Sequence, residues 1–140
     1  MKKEIVSHKE YENFIKNLSL KELKLTSVSA SVQDDFSPPA NLRIKDTSEY
    51  KEIGNKQVLV SIKYHLEAIK QGAESPGLII DAHYTLLYTT EIPMTREFFG
   101  IFKQSSLRLQ TWPYFRHLAH QITLEMHLPP LILDTIKVPI

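Results

Sequence analysis

The chain has 140 residues, of which 42% are hydrophobic and 24% charged, and its formal net charge is +1. That charge gives no basis for a general nucleic-acid-binding surface, and the absence of cysteine excludes disulfides, thiolate metal sites and a cysteine nucleophile. No stretch has the apolar run of a signal peptide or of a membrane span. We therefore expect a single cytoplasmic domain over residues 1–140, without membrane insertion.

The first predicted element is a helix over residues 8–18, HKEYENFIKNL, with Ser7 as its N-cap. Its apolar residues are spaced three and four apart, which places them on one face. They are Tyr11, Phe14, Ile15 and Leu18. Since so short a helix is marginal alone, it must dock on another part of the protein.

A strand is predicted over residues 23–32, where the apolar alternation changes phase near Thr26 and Ser27 as a β-bulge would cause. Residues 34–44, DDFSPPANLRI, form a crossing loop, because adjacent prolines cannot donate to a sheet ladder. Leu42 and Ile44 at its end can start another strand.

Residues 57–69 and 78–90 alternate between apolar and polar side chains. Seven residues, QGAESPG, separate the main runs and leave no room for a crossover helix, so the two strands are predicted to pair antiparallel. One face of this pair is expected to be buried and the other wetter. The wetter face still carries Leu59, Ile69, Ile79 and Leu87.

Two helices are predicted to follow. Thr95 caps the first, from Arg96, and Thr111 caps the second, with Pro113 in its first turn. The apolar side chains of the second helix cover an arc of roughly 160° at about 100° per residue, which is more than one sheet needs. These residues are Trp112, Tyr114, Phe115, Leu118, Ala119, Ile122 and Met126. The opposite side carries Arg116, His120, Thr123 and His127.

Pro129 and Pro130 are expected to end this helix, and residues 131–138 to run extended. The order of the elements predicts an α+β fold, an antiparallel sheet with helices packed on one face.

Candidates for chemistry are few. The sequence contains no P-loop, GxGxxG, HExxH or GxSxG motif. His117, His120 and His127 lack a matching set of carboxylates and fit a solvated helix face better than a metal site. Asp81 and His83, with His65 on the neighbouring strand, have no evident nucleophile beside them. We expect no enzyme activity, no catalytic residue, no cofactor and no metal.

The segment WPYFRHLAHQITLEMHLPPLIL is similar to the C-terminal signature of the SecB family of protein-export chaperones. That signature is a Phe/Trp-Pro-Tyr-x-Arg helix start, an apolar helix body and a Leu-Pro-x-Leu-x-Leu run. The matching positions here are Trp112, Pro113, Tyr114, Arg116, Leu128, Pro129, Leu131 and Leu133. The resemblance implies a four-stranded antiparallel sheet backed by a long helix, in subunits that assemble as a dimer of dimers.

The resemblance also implies a function, which is to hold unfolded polypeptides in apolar grooves without ATP. By position, the crossing loop would form one wall of the client-binding groove, with Phe36, Pro38, Pro39 and Leu42. The oligomer interface would use the long helix, with Trp112, Tyr114, Phe115, Leu118, Ile122 and Met126.

Export members of the family are acidic and continue into a lid helix and a tail that docks on SecA. This sequence ends at Ile140 without either part, and has the helix over residues 8–18 instead. We therefore do not expect docking on SecA. The sequence more resembles solitary relatives that accompany toxin–antitoxin pairs, whose client is one aggregation-prone antitoxin.

Two other classes of function stay open. A scaffold or interaction module could use the same fold, because a fold does not fix a function. A small-molecule binder is the other, although few convergent polar groups are visible.

Overall fold

A computed structural model describes residues 7–134 of the chain. Its elements, in chain order, are α1 (His8–Lys16), β1 (Leu18–Val32), β2 (Ala40–Gly54), β3 (Gln57–Lys70), β4 (Leu78–Thr90), α2 (Arg96–Gln104) and α3 (Ser106–Glu125). The four strands form one antiparallel sheet and the helices pack on one of its faces, which confirms the predicted α+β class.

The strand order is β1-β4-β3-β2, so the first two strands of the chain lie at opposite edges of the sheet. Residues 33–39 connect these edges, which confirms the predicted crossing loop, although it is shorter than residues 34–44 because β2 begins at Ala40. Strands β2, β3 and β4 follow one another as hairpins, and β1 returns beside β4. This is a Greek-key arrangement.

The β3–β4 pair is the centre of the sheet and has the predicted alternation. The inward-pointing side chains of β3, from Val58 to Ala68, are all buried. Their partners in β4 are buried as well. Register shifts occur in β1 at two places, and the one between Leu25 and Ser27 is the predicted bulge. The outer face of both strands is half-buried except at Gln57 and Lys63, which are exposed, and at Ile69, which is buried.

Helix α1 is shorter than predicted, because Leu18 begins β1. Ser7 caps it as expected, accepting a hydrogen bond from the Glu10 amide at 3.1 Å. Phe14 is fully buried and stacks on Phe98 of α2, with ring centroids 4.6 Å apart. This contact docks α1 on the domain.

The predicted start of the long helix is wrong. Helix α3 begins at Ser106, so Thr111 is not its cap and Pro113 lies inside it. Leu107 has no exposed surface, and burying it favours helix upstream of the proline. The proline deprives the Leu109 carbonyl of its helical donor, and Leu109 is 51% exposed, where water can replace that bond.

The predicted polar side of this helix is also wrong at one position, because Thr123 is buried. Its hydroxyl is satisfied inside the fold, since it donates to the Ala119 carbonyl at 3.0 Å and accepts from the Leu131 amide at 2.9 Å. Of the predicted extended run, residues 135–138 lie outside the described part of the chain. No helix within residues 7–134 is both long and apolar enough to span a membrane.

Candidate functional site

An aromatic cluster joins α3 to the middle of the sheet. Phe115 stacks on Tyr64 of β3 with centroids 4.7 Å apart, and the Trp112 ring lies 5.7 Å from Tyr64. The Tyr64 hydroxyl is hydrogen-bonded to Thr111 Oγ1 at 2.7 Å. Burial raises the pKa of Tyr64 to about 12, so its hydroxyl stays protonated as this bond requires. The cluster fixes α3 on the subunit's own core.

This cluster places two of the predicted interface residues in the interior of the subunit. Phe115 has no exposed surface and Trp112 is 9% exposed, so both side chains pack within the subunit rather than on its surface. Tyr114 is 55% exposed, while Leu118, Ile122 and Met126 are half-buried. An oligomer interface through the six predicted residues stays a prediction.

Residues 131–134 return along α3 and are bound to it through their main chain. The Trp112 indole Nε1 donates to the Asp134 carbonyl at 2.8 Å, and Arg116 Nε donates to the Leu133 carbonyl at 2.6 Å. The Thr123 hydroxyl accepts a hydrogen bond from the Leu131 amide at 2.9 Å. We call the surface of α3 that carries these three side chains the α3 groove.

The α3 groove was not predicted as a site, but two of its residues and two residues of the bound segment belong to the quoted signature. They are Trp112 and Arg116 in the groove and Leu131 and Leu133 in the segment. Leu133 is 3% exposed and lies in the core cluster, whereas Ile132 is 73% exposed. A cavity of about 410 Å³ adjoins the segment and is lined by Pro113, Arg116, His117, His120, Leu131 and Ile132.

The crossing loop lies against the β3–β4 connection at one end of the sheet. Phe36 is half-buried, and its ring occupies the space that a side chain at Gly77 would need. The Gln33 amide donates to the Gly77 carbonyl at 2.8 Å. Pro38 and Pro39 are exposed and joined by a cis peptide bond.

Leu42, the last predicted client-binding residue, is 41% exposed near the start of β2. It is paired with Ala68 and therefore lies on the inner face. Within the described residues no hydrogen bond or ion pair links the crossing loop to α3. Client binding at Phe36, Pro38, Pro39 and Leu42 stays a prediction.

The inner face of β1 carries large apolar side chains that residues 7–134 leave exposed. Leu20, Leu25 and Val28 are 39%, 43% and 48% exposed, although their partners Tyr88, Tyr84 and Ala82 in β4 are buried. We call these three residues the β1 strip. Its alternation was visible in the sequence, but its exposure depends on where the helices lie across the sheet.

The outer face carries a small charged network. His65 Nδ1 lies 2.5 Å from Asp81 Oδ1, and its Nε2 lies 3.0 Å from Glu67 Oε2. Hydrogen bonds to Glu67 and Asp81 raise the pKa of His65. These contacts tie β3 to β4. No group of three or more His, Asp or Glu side chains in residues 7–134 is arranged to hold a metal ion.

Comparison with known proteins identifies the fold. The Mycobacterium tuberculosis Rv1957 SecB-like chaperone, solved in complex with a ChAD peptide from the Rv1956 HigA1 antitoxin, superposes with a TM-score of 0.72. The match covers 88% of this chain and 90% of that one at 18% sequence identity. The chain has a SecB-like fold.

A second solved structure, a protein of unknown function from Streptococcus agalactiae, matches over 84% of this chain and 97% of its own. Its TM-score is 0.45 and its sequence identity 8%. No protein-family model matches the sequence, and no curated protein matches it significantly. Within this fold, the β1 strip lies at one edge of the sheet and the α3 groove lies on the long helix.

Proposed function

We propose that this SecB-like chain is a chaperone of the holdase type, which binds unfolded or aggregation-prone polypeptides without ATP and has no enzyme activity. The observation that carries the proposal is the β1 strip, a row of large apolar side chains left exposed on the sheet face whose two central strands form the core. Surfaces of this kind on soluble proteins bind apolar partners. An extended client adds about 25 cal/mol for each Å² of apolar surface it buries, with little dependence on sequence.

The likeness in fold to a chaperone solved with an antitoxin peptide supports a narrower form of the proposal. In this form the client is the antitoxin of a toxin–antitoxin pair and the protein works in the cytoplasm. Assembly as a dimer of dimers, through the exposed side of α3, belongs to the same proposal.

The first experiment measures aggregation of chemically unfolded luciferase by light scattering after dilution into buffer without ATP. The wild-type protein in stoichiometric excess should suppress scattering. Leu25→Asp and Val28→Asp should each reduce suppression, because a carboxylate in the strip has to be desolvated when a client covers it. Ser31→Asp is the matched control, since it adds the same charge to the outer face of the same strand.

Three outcomes count against the proposal. A wild-type protein that leaves the client aggregating would reject the holdase function and favour the scaffold module. Equal suppression by the strip variants would remove the strip as the binding surface. A change in size in solution, measured by light scattering on each variant, would reassign the strip to the subunit interface.

The narrower form is tested by isolating the protein from its host cells and identifying the bound polypeptides. A dedicated chaperone should carry one predominant client. A broad set of unrelated polypeptides would contradict dedication to an antitoxin while leaving the holdase function in place.

A further inference from the structure

The groove on α3 is occupied by the chain's own extended segment. Residues 131–134 run antiparallel to the helix, because the chain reverses after Glu125 and Asp134 then meets Trp112 near the other end. The segment is not part of the sheet. It is held by the side chains of Trp112, Arg116 and Thr123 and by the burial of Leu133.

The hydrogen bonds that hold the segment do not depend on its sequence. All three hydrogen bonds go to main-chain atoms, two to carbonyl oxygens and one to an amide, which every residue except proline offers. Leu133 inserts its side chain into the core and Leu131 is half-buried against it, while Ile132 and Asp134 are exposed. Any extended peptide with a large apolar side chain at the position of Leu133 could make the same contacts.

We propose that the α3 groove is a client-binding site, and that residues 131–134 fill it as an intramolecular substitute until an extended apolar client segment displaces them. This inference rests on the proposed holdase function and adds to it the main-chain contacts by which a client is held. The adjoining cavity of about 410 Å³ gives the displaced or incoming side chains room beside the helix.

The substitute segment sets the affinity of the groove. A tethered segment competes at a high effective concentration, so the apparent Kd for a client rises in proportion to how strongly the segment is bound. Weakening the segment without altering the groove should therefore tighten client binding. If the segment were only a structural part of the fold, weakening it would weaken client binding or leave it unchanged.

The first test compares Leu133→Ala with Ile132→Ala. The probe is labelled, reduced and carboxymethylated ribonuclease A, an unfolded chain without tryptophan, and its anisotropy gives the Kd. Leu133→Ala should lower the Kd about tenfold or more, because truncating a buried leucine weakens the segment strongly. Ile132→Ala removes an exposed side chain of similar size and should leave the Kd unchanged.

Trp112 supplies an independent signal, since it is the single tryptophan of the chain and its indole is bonded to the segment. Its emission should change when the probe binds to the wild-type protein and when Leu133 is truncated. Circular dichroism and urea denaturation establish that each variant is folded before its affinity is compared.

The second test keeps Leu133 and locks the segment in place. The chain has no cysteine, so His120→Cys together with Ile132→Cys, which both line the cavity, gives a unique pair of thiols. Joined by a reducible bismaleimide linker, this variant should bind the probe more weakly, through the β1 strip alone, and recover its affinity when the linker is cleaved. The same variant before cross-linking is the control.

The outcomes separate the inference from the function on which it rests. If the wild-type and the locked proteins bind the probe equally, residues 131–134 are a fixed part of the fold and the inference is overturned. A Kd that is unchanged or higher in Leu133→Ala overturns it as well. If no form of the protein binds any unfolded probe, the holdase function itself fails.

Discussion

Helix α1 has one fully buried aromatic side chain at its contact with the domain, which allows its role to be tested by a single substitution. Phe14 is the one buried residue of α1 and has no exposed surface. Its ring is nearly parallel to that of Phe98, with an interplanar angle of 9°. In protein cores, replacing phenylalanine by alanine costs about 3–5 kcal/mol, through lost burial and the cavity that remains.

For Phe14→Ala we expect a cost near the lower end of that range, about 3 kcal/mol. Helix α1 has nine residues and is not stable alone, so it can undock and unfold instead of preserving a cavity. Undocking then limits the cost and uncovers Phe98. Urea denaturation measures the loss of stability, and fluorescence of an apolar dye such as ANS measures the uncovered surface, which should increase.

Asn13→Ala is the matched control, because Asn13 is exposed on the same helix and its side chain makes no described hydrogen bond. It should leave both measurements near the wild-type values. A change below about 0.5 kcal/mol for Phe14→Ala, or dye fluorescence no higher than in the control, would refute the idea that α1 covers apolar surface.

Two further predictions concern the ends and the outer face of the sheet. Gly77→Ala should destabilise the protein by about 1–3 kcal/mol, measured by urea denaturation, because the added Cβ would lie 2.4 Å from Phe36 Cδ1. Adding Phe36→Ala should restore most of that stability. Additive losses in the double variant would contradict the contact. The bridge from His65 to Glu67 and Asp81 should make stability depend on pH. Since these carboxylates raise the pKa of His65 in the folded protein, the stabilisation is complete below about pH 6.5, the ordinary histidine value, and is lost as the pH rises through the folded pKa. The His65 side chain is 39% exposed, so the stabilisation should be about 0.2–1 kcal/mol. Thermal unfolding of the wild type and of His65→Asn from about pH 5 to 8 measures this stabilisation. Equal pH profiles for the two proteins would contradict the prediction.

The sequence predicts the centre of the sheet better than its edge. Strands β3 and β4 have strict alternation because one face of each is core. Strand β2 was predicted only at its first residues, because polar side chains such as Asp46 and Ser48 point to its inner face. Asp46 is paired there with Arg108, whose Nε lies 3.2 Å from Asp46 Oδ2. A pair 62 residues apart in the chain cannot be recognised from local periodicity.

The same limit applies to the long helix and to its groove. Local rules place proline in the first turn, and only the burial of Leu107 shows that α3 begins earlier. The signature residues Trp112 and Arg116 were recognised by resemblance, but their partners are main-chain atoms of residues 133 and 134. Such contacts leave no pattern in the side chains, so the α3 groove could not be derived from spacing.

The two candidate surfaces differ in whether the described part of the chain already covers them. Two contacts with strand β2 help to hold α2 and α3 on the sheet, the Asp46–Arg108 pair and the contact of Tyr50 with Phe99, 4.8 Å between centroids. The β1 strip stays exposed, so a client that covers it displaces no side chain of residues 7–134. A client that enters the α3 groove must first displace residues 131–134, so locking that segment should abolish binding at the groove and leave binding at the strip intact.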